Sequence, residues 1–197
     1  PAFPDPTHTK VPSLLLPRPW ETLRSVLKGV DLQVDITELP ERTKRHFGKD
    51  VPGYFRGKEL HIGRNPRARS TERYELIGPG ENRHKLPDHL STPCWRKHPD
   101  GAGDVMGRLH WDKPSVTIRT EFFKPEKGRY LHPQFVRDEP SRSTNRPITH
   151  FEAALIQGFA RSYKWCGPKL EIARQIGNAV PPLFAQRIAE ATRQVIG

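Results

Sequence analysis

The residues with the most obvious chemistry in this 197-residue chain are two cysteines, nine histidines and 33 lysines and arginines. A thiolate can attack carbon or bind a metal, and only Cys94 and Cys166 can supply one. Neither belongs to a C-x-x-C pair, and no H-x-x-x-H pair or Cys partner stands at zinc spacing. The sequence therefore predicts no metal site and no disulfide framework. The cations are more informative. Arg42, Lys44, Arg45, Lys49, Arg56, Lys58, Arg64, Arg67, Arg69 and Arg73 fall within Glu41 to Arg73, interleaved with Phe47, Tyr54 and Phe55. Cations meet phosphates, and arginine also forks onto guanine in a major groove. The same run also reads as a solvated basic face. A net charge of +11 favours a polyanionic partner, most often nucleic acid.

The densest patterning lies in Arg146 to Pro182. Thr149 and Glu152 form a T-x-x-E capping box, in which the hydroxyl takes a helix N–H and the carboxylate reaches back to the cap. Ala153, Ala154, Leu155 and Ile156 fill the short helix that follows, and Gly158 is placed to stop it. Pro168 opens a second helix, Leu170 to Ile176, which Gly177 is expected to end. Pro181 and Pro182 begin a third, running to about Val195, with Phe184, Ile188, Ala191 and Val195 at helical spacing.

The rest of the chain must hold these elements. Hydrophobic residues are 34% of the sequence, a thin supply for a core of this size, and 21 Pro and 15 Gly predict many loops and turns. The opening stretch through Trp20 is Pro-rich and extended. Pro19 is expected to start an amphipathic helix carrying Trp20, Leu23, Val26 and Leu27 and stopped by Gly29. Ser115 to Arg119 alternates and is β-branched, which predicts a strand. No segment reads as a signal peptide or a membrane span.

Several of these residues resemble a known family. Arg146-x-x-Thr149-x-x-Glu152-Ala153-Ala154, followed by Gln157-Gly158-Phe159, resembles the ninth motif of the DNA (cytosine-5) methyltransferases. Gln175-Ile176-Gly177-Asn178-Ala179-Val180-Pro181-Pro182 resembles their tenth and last. The order and separation fit. Phe151 and Leu155 stand where arginine is usual, and Ala160 where proline is usual. Pro4-Asp5-Pro6-Thr7-His8 resembles the segment after the eighth motif. Ser70-x-x-Arg73-Tyr74, Ile77 to Arg83, Cys94-Trp95, Gly107 to Leu109 and Trp111 to Ser115 are similar to the recognition region of bacterial members. Gly128 to Pro133 follows at its usual place, where His132 and Arg129 serve either as phosphate contacts or in a structural turn.

The resemblance implies a fold and a division of labour. The expected class is α/β, loop-rich, with a target-recognition domain over 31–145 built on a short sheet. Segments 1–30 and 146–197 would pack on a catalytic domain. Arg67, Arg69 and Arg73 would meet DNA, and Thr117 and Ile118 would grip the target strand, unless they are plain sheet residues. Asn178, Ala179 and Val180 would line an S-adenosylmethionine pocket. Arg146, Thr149, Glu152 and Gln157 would brace the motif, with Arg146 bonding backbone carbonyls. The family's glycine-rich cofactor loop, Pro-Cys-Gln nucleophile, Glu-Asn-Val acid and Gln-x-Arg-x-Arg motifs have no match here, since Pro93-Cys94 is followed by Trp95 in a stretch similar to the recognition region, and the resemblance therefore implies that this chain supplies no catalytic residue. Cys94 is expected to be buried or incidental, and Cys166 has no better claim. The implied partners are double-stranded DNA and a separate catalytic half, in a prokaryotic cytoplasm and without a membrane. A non-enzymatic DNA-binding protein or an inactive remnant is the alternative.

Overall fold

The computed structural model describes residues 3–15 and 18–196. Its one sheet grows from a hairpin. Strand β1 (Thr43–His46) pairs antiparallel with β2 (Lys49–Arg56), with His46 opposite Lys49. Only Phe47 and Gly48 join them, at φ 47° and 77°. Two successive left-handed residues match the natural twist of a two-residue hairpin. β3 (Lys164–Cys166) pairs antiparallel with the other edge of β2, giving the order β1-β2-β3. At that junction the backbones nearly touch. A Cβ on Gly53 would stand 3.0 Å from the Trp165 carbonyl oxygen. The small mixed α/β class expected from the sequence is what the chain adopts.

Helices α1 (Leu23–Val26), α2 (Ala68–Leu76), α3 (Pro93–Lys97), α4 (His150–Ile156), α5 (Lys169–Asn178) and α6 (Pro182–Ile196) and four short 3-10 helices complete the regular structure among the described residues. The main core draws on every part of the chain. Leu23 and Leu27 from the first segment meet Phe55, Leu60, Ile118 and Phe122 from the middle, and Ile148, Phe151, Trp165, Ile172 and Ile176 from the last. A smaller cluster holds Tyr74, Ile77, Leu86, Leu90, Met106 and Leu131. Between the clusters, extended segments lie side by side through single bridges, Pro79 to Arg108, Arg108 to Leu131 and Leu131 to Pro147. Prolines and glycines at 78–80, 107 and 147 keep these segments too short for strands.

Three local expectations are corrected. The first concerns α1, which begins at Leu23 rather than Pro19. Pro19 bridges Thr9 instead, and Trp20 is 48% exposed. The helix starts late because its first N–H groups are already taken: Leu23 donates to the Lys113 carbonyl and Arg24 to that of Trp111. Gly29 does adopt the left-handed φ of 72° expected of a stop. The second concerns Ser115 to Arg119, which is not a strand. No neighbouring backbone offers it a ladder. The Tyr130 hydroxyl takes its place, accepting from the Arg119 N–H at 3.3 Å and donating to the Thr117 carbonyl at 3.1 Å. The third concerns Gly177, which lies inside α5 rather than ending it. A Cβ there would stand 2.4 Å from the Thr120 nitrogen, so the glycine permits close packing rather than a left-handed turn.

Candidate functional site

The capping box forms as the sequence requires. The Thr149 hydroxyl accepts from the Glu152 N–H at 3.1 Å, and Glu152 accepts from the Thr149 N–H at 2.8 Å. Glu152 is wholly buried, which requires a counter-charge. Arg146 supplies it as a fork, Nη1 and Nη2 each 2.8 Å from a carboxylate oxygen. The same guanidinium donates to the Pro147 and Leu32 carbonyls. Burial pushes the Glu152 carboxyl up, and the Arg146 fork, the nearby charges and the Thr149 N–H together outweigh it and hold the group down at about 2.

Two histidines close this centre, and burial lowers the pKa of both. Burial drives His132 down to about 3, so its Nε2, 3.5 Å from Glu152, makes a neutral contact rather than an ion pair. Its Nδ1 accepts from the Gln134 N–H. His61 faces the carbonyls of Asp31 and Gln33 through Nε2, which must carry the proton. Its Nδ1 then accepts from the Thr149 hydroxyl at 3.0 Å. A single polar network thus ties segments near 31, 61, 132 and 149.

Motif-like residues at the two ends of the last segment are joined directly. Gly158, at φ 85°, stops α4 with the Phe159 N–H returning to the Ala154 carbonyl. Just before it, the Gln157 amide donates to the Ile176 carbonyl at 2.9 Å and to that of Ala179 at 3.3 Å. These bonds fix the turn from α5 to α6. Asn178 and Val180 are exposed on that turn and Ala179 is half-buried. The Asn178 side chain has no hydrogen-bond partner among the described residues. One residue earlier, Gly177 lies on the Arg119–Thr120 backbone, so the turn stands beside the segment holding Thr117 and Ile118. Thr117 is exposed, while the Ile118 side chain lies in the core at 2% exposure.

The basic residues divide into two kinds. Arg67 is exposed at the start of α2. Arg69 is exposed and donates to the His89 carbonyl. Arg73 is half-buried, donating to the Leu90 carbonyl and lying over the Trp95 ring at 5.2 Å. Arg129 turns inward to the Glu81 and Arg108 carbonyls, and His132 is buried, so the turn at Gly128 to Pro133 is structural. Sequence reasoning missed Arg108, the largest fully buried side chain. It donates to the carbonyls of Tyr74, Ile77, His132, Gln134 and Thr144 and to Asn145 Oδ1. Burial with no carboxylate partner pushes it down to about 9. Gly107-Arg108-Leu109 stood out in the sequence only as a resemblance, and the buried role gave no signal because every acceptor is more than twenty residues away.

Cys94 is exposed, correcting the expectation of burial and leaving it incidental. Cys166 is half-buried, its thiol pushed up by burial, with Sγ 3.9 Å from His46 Nε2. No group of three or more His, Cys, Asp or Glu among the described residues could hold a metal ion. No helix among them is long and apolar enough to cross a membrane.

The paired motifs, joined through Gln157, define a class. The chain belongs to the C-5 cytosine-specific DNA methylase family, which it matches over residues 36–194. It is 31% identical to the type II methylase M.HgiDII of Herpetosiphon aurantiacus over 150 residues, 73% of this chain and 40% of that protein. It is 36% identical to the DNA (cytosine-5-)-methyltransferase M.ApeKI of Aeropyrum pernix over 125 residues, 64% of this chain and 24% of the relative. A vertebrate relative, DNA (cytosine-5)-methyltransferase 1 of Mus musculus, is 38% identical over 93 residues, 47% of this chain and 5% of its own length. The chain therefore spans less than half the length of each of these relatives.

Proposed function

We propose that this chain is the DNA-recognising and closing portion of a cytosine-5 methyltransferase, acting with a catalytic half that carries the attacking thiolate. The observation that carries the reading is the exposed α5–α6 turn, held from behind by Gln157. Its free amide at Asn178 and the bare apolar side chain of Val180 suit one wall of a pocket completed by another surface. That fits S-adenosylmethionine, which supplies an electrophilic methyl group when bound. Asn178 would hydrogen-bond it, and Ala179 and Val180 would line its apolar side. The division into a connecting arm (1–30), a recognition domain (31–145) and a closing segment (146–197) belongs to the same reading.

On the DNA side, exposed Thr117 carries the contact with the target strand, and buried Ile118 holds it in place. Arg67 and Arg69 reach phosphate, and Arg73 supports them by fixing the Leu90 segment. Methylation at C5 requires a thiolate to attack C6 of a flipped cytosine. Cys94 is followed by Trp95 rather than by the glutamine of the family's nucleophile motif, and burial pushes the Cys166 thiol up, so neither fits that task.

The test is reconstitution. The chain alone should bind duplex DNA with an affinity that falls by at least tenfold between about 50 and 200 mM salt. Alone it should transfer no methyl group and form no covalent adduct with a 5-fluorocytosine duplex. Adding the catalytic half should restore transfer. In that complex Asn178→Ala should raise the KM for S-adenosylmethionine, and Thr117→Ala the KM for DNA. An adduct through Cys94 in the isolated chain overturns the reading.

A further inference from the structure

The β1–β2 hairpin carries a residue that the fold does not explain. Phe47 occupies the first left-handed position of the turn, at φ 47°. A bulky side chain is unfavourable there, and two-residue turns of this kind prefer Asn-Gly. Packing gives nothing in return, because Phe47 is 104% exposed. Strain at a residue with no structural return is a pointer to function.

Its surroundings name the partner. Lys44, Arg45 and Lys49 are all exposed on the same hairpin, and none of their side chains has an ion-pair or hydrogen-bond partner among the described residues. Most other cations nearby are engaged: Arg42 with Glu59, Lys58 with Asp31, Arg64 with the Phe123 carbonyl. Pairing across the ribbon puts Lys44, His46, Lys49 and Val51 on one face, with Arg45 and Asp50 on the other. An aromatic tip flanked by free cations on a two-stranded ribbon matches a nucleic-acid groove, where a ribbon fits between the backbones. An apolar wedge can part a base step there.

Resting on the DNA-binding reading above, we propose that this hairpin is a DNA contact in which Phe47 stacks on bases and Lys44, Arg45 and Lys49 hold the flanking phosphates.

The deciding variant is Phe47→Asn in the full chain, tested on a 30-base-pair duplex. Asparagine suits the turn, so melting temperature should hold or rise while affinity falls about tenfold, the range of one lost stacking contact. Phe47→Trp should retain affinity, and its fluorescence should be quenched by the duplex. Replacing Lys44, Arg45 and Lys49 with alanine should lower the salt slope by about 2 to 3. If Phe47→Asn melts lower and binds DNA unchanged, Phe47 is structural and the proposal is overturned. If the variants bind DNA normally but dock poorly on the catalytic half, the hairpin is a protein contact and the proposal is again overturned. Absence of duplex binding by the unaltered chain would instead remove the reading on which it rests.

Discussion

Helices α4 and α6 are opposites. α4 has seven residues, and all but the last are buried. α6 has fifteen, with Leu183, Phe184, Ile188 and Val195 between 38% and 72% exposed. A seven-residue helix is far below the length that is stable alone. α4 therefore persists only through its cap, its Schellman-type stop and the core around it. α6 has the length, the propensity and the Glu190 pairs with Gln186 and Arg187 to hold its own shape, yet its apolar stripe faces solvent. Length is thus no guide to what holds this fold together. The short helix is the anchor, and the long one lies with its apolar stripe exposed.

The largest test of that contrast is Glu152→Ala. It strands the Arg146 guanidinium and should cost about 3–5 kcal/mol in urea unfolding. An Arg146→Met, Glu152→Leu pair should cost less, because no buried charge is left over. Acid should act on the same region. Burial holds His132 at about 3 and His150 at about 4 in the folded chain, below the 6.5 of a free histidine. The unfolded chain takes up protons first, so stability is fully present above pH 6.5 and is lost as pH falls. At pH 5 the loss should be about 2 kcal/mol per histidine. A melting temperature unchanged between pH 7 and 5 would show that these histidines are not held neutral.

Gly177→Ala comes next, with an expected loss of about 1–3 kcal/mol as the new methyl group meets the Thr120 backbone. The smallest effect belongs to α6. Leu183→Ser with Phe184→Ser should change stability by less than about 0.5 kcal/mol. On the proposed reading it should nevertheless weaken association with a catalytic half. A loss of 2 kcal/mol or more would erase the difference between the two helices.

What could be read in the sequence was local. The Thr149–Glu152 box, the Gly158 stop and the α6 stripe each lie within one helical span, so spacing alone reveals them. Ser115 to Arg119 has the composition of a strand, but a strand needs a partner edge, and the Tyr130 hydroxyl occupies that place. Gly177 was readable as a glycine that matters, though not as one needed for close approach to Thr120. Arg108 and the His61–Thr149 contact span 24 to 88 residues, and no short window could contain them. Of the candidate site, the Gln157, Asn178 and Val180 pattern was visible. The inward turn of Ile118 and Arg73 was not, because burial is decided by the whole core.

The shared core also bears on how such proteins can be recombined. On the proposed division, an engineer seeking a new sequence preference would transplant a cassette bounded near residues 31 and 145. Those cuts pass through one hydrophobic cluster, separating Phe55 and Leu60 from Leu23, Trp165 and Ile172. They also leave β3 behind when β2 is taken. A graft that carries β3 and α1 along with the middle of the chain keeps both interfaces whole. In this scaffold the unit of exchange is defined by contact, and it is discontinuous along the chain.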